Sequence, residues 1–154
     1  MKIKSKKNLR VLFLIGSALA SYYLWLSLRP VDIVAVHEDG NFSSVLVKNF
    51  PITDKGKISW WLKNKDMLKT KYNIPKSASY GNFTITFWLF GDGYKKEGKY
   101  DRLCFNDMKK EINCIEKKAV FSVNNDSKNR VIFTVYDGTY LMKKNGEIVK
   151  YEYK

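Results

Sequence analysis

Few side chains in this sequence have the chemistry that catalysis or metal binding requires. His37 is the only histidine, which excludes a histidine-rich metal site, and no glycine-rich phosphate loop occurs. Asp92 and Asp101 could act as paired carboxylates in acid–base catalysis or in a cell-envelope hydrolase. However, Asp92 lies between two glycines in a turn signal, and Asp101 precedes Arg102 as in an ion pair. We therefore expect no catalytic residue, no metal and no cofactor, and we do not expect an enzyme.

The two cysteines, Cys104 and Cys114, are the next candidates for chemistry. An even number of cysteines in an exported domain predicts one disulfide. The bridge would close a loop of about ten residues and stabilise the fold by roughly 2–3 kcal/mol. The alternative is two buried free thiols, as in a cytosolic protein.

Aromatic residues are abundant for a chain of this size and could bind a partner. Interfaces favour aromatic residues and arginine, and the stretch 88–102 mixes tryptophan, phenylalanine, tyrosine, glycine, aspartate and lysine. It is a plausible recognition loop at a sheet edge. The alternative is that most of these aromatic side chains fill the core. The candidate partner-binding residues are Trp60, Trp88, Phe90, Asp92, Tyr94, Tyr100 and Arg102.

These residues follow an uncharged N-terminal stretch, 11–28. As a helix its eighteen residues would span about 27 Å, close to the hydrocarbon thickness of a bilayer. Tyr22, Tyr23 and Trp25 lie in its second half, where aromatic residues favour the lipid–water boundary. The pattern predicts a transmembrane anchor that contacts the lipid bilayer through residues 11–28.

Charge asymmetry predicts the orientation of this anchor. Five cations and no acid precede it, whereas Arg29 and Lys48 are the only cations in the twenty residues after it. Cations favour the cytoplasmic side. We expect a cytoplasmic tail at 1–10 and a periplasmic domain at 30–154, in a single-pass protein of a bacterial inner membrane. The alternative is a signal peptide cleaved after Ala20.

The charge of the chain restricts the partner class only weakly. The net charge is +13, of which residues 1–29 supply +6, because they hold six cations and no acids. The exported body keeps +7, mostly from lysine rather than from the arginine that phosphate readers prefer. We therefore interpret the charge as a solvated surface and expect no nucleic-acid partner.

Hydrophobic periodicity predicts one domain of mainly antiparallel strands. One amphipathic helix is expected at about 55–71, capped by Thr53 or Asp54. Its predicted buried stripe consists of Ile58, Trp61, Leu62, Leu68 and Tyr72. Strands are expected at 31–37, 42–50, 82–90, 99–105, 119–123, 130–136, 139–142 and 148–153. The side chains of 82–90 alternate between two faces, and Asn145-Gly146 predicts a hairpin between the last two strands. No βαβ alternation is evident. The predicted fold class is α+β, an N-terminal transmembrane helix followed by a small mainly antiparallel β domain with one amphipathic helix.

Several sequence blocks together resemble a known family. They are residues 28–37, 42–51, 60–62, 90–94 and 100–105. The chain is similar over nearly its whole length to the enterobacterial membrane-protein family called domain of unknown function nine-four-three. The resemblance implies a small single-pass protein of Gram-negative bacteria, with an inner-membrane anchor and a periplasmic body. It implies no catalytic residue.

These observations favour a membrane-anchored periplasmic binding protein without catalysis. The preferred subtype is an immunity protein that neutralises an antibacterial toxin acting in the periplasm. One alternative is an accessory or structural subunit of an envelope complex, and another is a cell-envelope hydrolase. The sequence predicts a protein partner without naming it.

Overall fold

The computed structural model describes residues 2–152, without the side chains of residues 2–4 and 27. The chain divides into two compact units, Met1–Pro30 and Val31–Lys154. Helix α1, Lys2–Leu28, makes up most of the first unit. Its segment Ser5–Leu26 is long and apolar enough to cross a membrane, judged by length and composition. The uncharged stretch 11–28 is thus helical throughout.

The second unit combines two β-sheets with one helix, α2, which spans Asp54–Tyr72. The strands are β1 Asp32–Asp39, β2 Phe42–Lys48, β3 Thr84–Leu89, β4 Lys95–Lys96, β5 Arg102–Cys104, β6 Ile112–Glu116, β7 Ala119–Asn125, β8 Val131–Val135, β9 Gly138–Met142 and β10 Ile148–Tyr151. The main sheet has the order β1-β2-β3-β7-β8-β9-β10, and the small sheet has the order β4-β6-β5. The predicted α+β class is confirmed. Of the last predicted strand, 148–153, residue 153 lies outside the described residues.

One strand pair departs from the antiparallel arrangement. Strands β2 and β3 are parallel, with Val45 opposite Phe87, whereas the other recorded strand pairs are antiparallel. Helix α2 forms the crossover between them, because parallel strands cannot be joined by a tight turn. The chain therefore contains one β-α-β unit, contrary to the expectation of no such alternation, because a single unit produces no repeating pattern in the sequence.

Helix α2 begins and ends as its capping residues dictate. Thr53 accepts a hydrogen bond from the Gly56 N–H at 3.0 Å, which confirms one of the two expected caps. Asn73 ends the helix in the left-handed conformation, with φ of 56°. Of the predicted buried stripe, Leu68 is fully buried but Leu62 is 36% exposed. The prediction for Leu62 was wrong because this side chain faces an open cavity beside Tyr140 and Ile148 of the sheet.

The main sheet buries apolar side chains on both faces. Phe87 on β3 is fully buried in the cluster that includes the buried side of α2. Its neighbour Trp88 points to the opposite face and packs in a second cluster with Leu46 of β2 and Ile115 of the small sheet. The domain is therefore three layers, helix, main sheet and small sheet, as the strict alternation of 82–90 permits.

The small sheet is held together by the predicted disulfide. Cys104 and Cys114 are bonded, with an S–S distance of 2.03 Å, and are direct partners on β5 and β6. The sequence predicts only a loop between these cysteines, so β6 is a finding of the structure. Its five residues carry a weak strand pattern, and they form a strand because β4 and β5 pair with both of its edges.

A buried amide joins the ends of three strands of the main sheet. Asn125 is 7% exposed, and its side chain accepts from the Phe83 N–H at 2.9 Å and donates to the Gly81 carbonyl at 2.9 Å. It also donates to Asn129 Oδ1 at 3.0 Å. One asparagine thus gives hydrogen-bond partners to the Phe83 N–H and the Gly81 carbonyl, two backbone groups before β3.

We predict that Asn125→Ala lowers the free energy of unfolding by about 1–3 kcal/mol, because it leaves buried backbone groups unpaired. Thermal and denaturant unfolding of the lipid-reconstituted chain would measure the loss. The adjacent Asn124→Ala is the matched control, with an expected change within about 0.5 kcal/mol. Equal stability of the two variants would contradict this role of Asn125.

Candidate functional site

The predicted partner-binding residues do not form one surface. Trp60 lies on α2 and packs edge-to-face against Phe50 and Phe87, with ring centroids 5.4 and 5.6 Å away. Trp88 and Phe90 lie on the opposite face of the main sheet, in the cluster covered by the small sheet. The structure therefore separates Trp60 from the stretch 88–102 by the thickness of the sheet.

Within that stretch the candidates have three different environments. Phe90 and Tyr94 contact each other in the second cluster, at 5.1 Å between ring centroids. Asp92 and Tyr100 project into solvent, with the Asp92 side chain 87% exposed and Tyr100 74% exposed. Arg102 is engaged within the small sheet, since Nη1 donates to the Lys96 carbonyl at 2.7 Å. Most of the aromatic rings of this stretch are thus core residues.

His37 instead lies at the centre of a polar cluster. It is on β1, and its side chain is 10% exposed. The ring nitrogen Nδ1 lies 2.8 Å from Asp107 Oδ1, and Nε2 lies 2.8 Å from the Tyr94 hydroxyl. A proton on Nδ1 satisfies both contacts, because Nδ1 then donates to the carboxylate and Nε2 accepts from the phenol. The imidazole also stacks on Phe105, with centroids 4.0 Å apart and an interplanar angle of 12°.

These contacts connect β1 to the small sheet and to the loops beside it. Asp107 and Phe105 belong to the segment that follows β5, and Tyr94 belongs to the segment before β4. Three residues more than fifty positions from His37 along the chain therefore meet at its ring. The imidazole fixes the position of the small sheet against the edge of the main sheet.

A cleft of about 220 Å³ opens beside this cluster, and we refer to it as the His37 cleft. One wall is formed by the β1–β2 hairpin and the other by the segment after β5. Phe42 at its rim is 59% exposed. The lining residues are His37, Glu38, Asp39, Phe42, Ser44 and residues 103–107.

The environment of Tyr94 makes its phenol harder to ionise. Burial raises the pKa of Tyr94, and the negative charge of Asp107 raises it further. A tyrosine is activated as a nucleophile by a lowered pKa, so this shift has the wrong direction for that role.

Ser44 also lines the cleft, which brings serine, histidine and aspartate side chains to one place. A nucleophilic serine needs the free ring nitrogen of its histidine base. Here Nε2 contacts the Tyr94 hydroxyl, so it is not free to act as the base of Ser44.

Among the described residues, no group of three or more histidine, cysteine, aspartate or glutamate side chains could hold a metal ion. The arrangement can bind and orient a group at the rim, with His37 serving as a support.

The sequence draws attention to His37 as the only histidine but gives no signal for its partners. Asp107 lies 70 positions away in a polar segment without a recognisable motif. The disulfide was the available signal, because it marks 104–114 as a closed loop whose side chains have fixed positions.

We predict that Tyr94→Phe lowers the free energy of unfolding by about 1 kcal/mol near neutral pH, since it removes one hydrogen bond. A raised phenol pKa in the folded state stabilises the fold below the unfolded-state pKa of about 10, and this contribution is lost as pH rises through the folded value. The difference between the wild type and Tyr94→Phe should therefore shrink above about pH 10. Thermal unfolding of both proteins near neutral pH and above about pH 10 measures this difference.

Tyr80→Phe is the matched control, because Tyr80 is 73% exposed. Its unfolding temperature should stay close to that of the wild type near neutral pH. A difference between wild type and Tyr94→Phe that grows with pH would contradict the assigned contact.

The comparisons with known proteins give one match. The model of the family described as "Enterobacterial putative membrane protein (DUF943)" matches residues 2–152. No curated protein and no solved structure matches the chain at a significant level. The match covers α1, both sheets and the His37 cleft, so the chain belongs to this enterobacterial family of membrane proteins.

Proposed function

We propose that the chain is a single-pass protein of the inner membrane whose periplasmic domain binds a protein partner without catalysing a reaction. The family and the apolar helix support membrane association. The five cations before the uncharged stretch and the scarcity of cations after it favour a cytoplasmic N-terminus.

The disulfide supports the same orientation independently of charge. Cys104 and Cys114 are directly opposed on neighbouring strands, and the bridge between them is closed. Structural disulfides persist in the periplasm and are rare in the cytosol. The domain that carries them is therefore proposed to lie on the periplasmic side.

The observation that carries the binding proposal is the His37 cleft. It combines a fixed floor, because both nitrogens of His37 are hydrogen-bonded, with an exposed apolar rim at Phe42. Exposed aromatic residues beside a rigid pocket are typical anchors of protein interfaces.

The location of the cleft also favours partner binding. The domain begins at Val31, directly before β1, whereas His37 and Asp39 lie near the other end of that strand. The eight residues of β1 separate the two ends by roughly 23 Å. A partner can thus contact the cleft without contacting the point where the chain enters.

The proposed subtype is an immunity protein that neutralises a periplasm-acting toxin. A small tethered domain with a rigid cleft needs only to bind in order to inhibit. The accessory subunit of an envelope complex is the alternative, and it differs in requiring the membrane anchor for its role.

The experiment is to express the chain in susceptible cells that receive, in the periplasm, a toxin encoded beside its gene. We predict that the wild type protects the cells and that Phe42→Asp does not. The substitution should raise the Kd for the toxin roughly thirtyfold, which corresponds to a loss of about 2 kcal/mol of binding free energy. Survival and a binding assay with the purified toxin are the two measurements. Protection should persist when a cleaved signal peptide replaces residues 1–28.

Tyr136→Asp is the matched control, because Tyr136 is 96% exposed in the turn between β8 and β9, away from the cleft. Absence of protection against neighbouring toxins would overturn the immunity subtype. Equal protection by Phe42→Asp would overturn the cleft as the binding site, and loss of protection without the anchor would favour the envelope subunit.

A further inference from the structure

The His37 cleft is acidic although the domain around it is basic. The body beyond residue 29 carries a net charge of +7, because the +13 of the whole chain includes +6 from residues 1–29. The residues that line the cleft include the acids Glu38, Asp39 and Asp107, and among the described residues no lysine or arginine lines it. The cleft thus has the opposite sign to the rest of the domain, which favours a positively charged ligand group.

The strand register places one carboxylate beside the exposed aromatic rim. Asp39 and Phe42 are direct partners at the end of the β1–β2 pair, and His37 is the partner of Ser44. Opposed residues of an antiparallel pair project from the same face, and His37 shares that face with Asp39 because side chains alternate along a strand. Asp39 is exposed, and no ion pair is recorded for it in the described part of the chain. The hairpin therefore presents an aromatic ring and an open carboxylate to the cleft.

A second carboxylate comes from the opposite wall. His37 Nδ1 lies 2.8 and 2.9 Å from the two carboxylate oxygens of Asp107. With its proton on Nδ1 the imidazole is neutral, so this contact orients the carboxylate without cancelling its charge. The Asp107 side chain is 43% exposed and can accept from a further donor. The carboxylate of Glu38 is not open in this way, because it is paired with Lys76.

The size of the cleft distinguishes between possible ligands. Its volume of about 220 Å³ is below the roughly 300–1,000 Å³ of typical small-molecule sites and suits a single long side chain. Arginine is a frequent anchor of protein interfaces, forms paired hydrogen bonds with carboxylates and stacks on aromatic rings. We propose, on the basis of the proposed binding function, that the cleft receives an arginine of the protein partner. Its guanidinium pairs with Asp39 and Asp107, and its aliphatic stem lies on Phe42.

The test uses the full chain in nanodiscs of zwitterionic phosphatidylcholine, with labelled phenylalanine rings and N-acetyl-arginine amide as the probe. A ligand of this size should bind with a Kd on the order of 1 mM. The expected result is a saturable shift of the Phe42 ring resonance, while Phe133, which is fully buried elsewhere, stays unchanged. N-acetyl-citrulline amide, which has nearly the same shape but no charge, should bind at least about fivefold more weakly.

Asp39→Asn/Asp107→Asn should weaken binding of the arginine probe at least about fivefold. The asparagine oxygen at position 107 can still accept from His37, so this contact is retained. Asp39→Asn alone, at an exposed position, should weaken binding about twofold. Asp66→Asn/Asp137→Asn is the control, because it removes the same charge at two exposed aspartates that do not line the cleft.

Equal affinity for the two probes, equal affinity of the two double variants, or the absence of a saturable shift at Phe42 would each overturn the proposal. Equal or tighter binding of N-acetyl-lysine amide would overturn the choice of arginine. Because the test needs no toxin, its outcome is independent of the protection experiment. Saturable binding of the arginine probe without toxin protection would count against the immunity subtype alone, whereas protection with equal binding of both probes would count against the arginine anchor alone.

Discussion

The central strands of the main sheet are buried on both faces, and this burial determines how the other layers of the domain are arranged. Residues 45–47 of β2 are fully buried although their side chains alternate between the two faces of the sheet. On β3 the alternation places Phe87 under α2 and Trp88 under the small sheet. A sheet that is apolar on both sides needs a layer on each side. The helix supplies one layer and the disulfide-bonded sheet supplies the other.

The His37 cleft is a consequence of that second layer. The small sheet has three short strands, one of only two residues, and it would contribute little stability without the bridge between β5 and β6. The same segment carries Phe105 and Asp107, which hold His37 from one side. The position of the cleft wall therefore depends on the disulfide, and the disulfide depends on the compartment in which the domain folds.

The covalent and local features of the fold could be predicted from the sequence. Three of these features depend on residues that are close in sequence: the alternating faces of β3, the Thr53 cap and the β9–β10 hairpin around Asn145-Gly146. The fourth, the disulfide, could be predicted because the chain has only two cysteines. The family resemblance is confirmed, and it agrees with the membrane association that the uncharged stretch 11–28 predicts.

The features that sequence reasoning missed depend on contacts between distant segments. Strand β6 forms because both of its edges are paired, and the parallel pairing of β2 with β3 is set by the path of α2. Leu62 fits the helical period of the buried stripe, but its side chain faces an open cavity beside β9 and β10. The partner of His37 lies 70 positions away in a polar loop, so no local pattern could assign it.

Thiol trapping in cells shows whether the disulfide-closed small sheet forms in an oxidising compartment. Cells producing the chain are quenched in acid, and the proteins are denatured and alkylated with a high-mass maleimide, with or without prior reduction. We expect no mass shift at Cys104 or Cys114 without reduction and two adducts after reduction. In a strain lacking the periplasmic thiol oxidase, two adducts should form without reduction. Two adducts without reduction in otherwise normal cells would contradict the periplasmic placement of the domain.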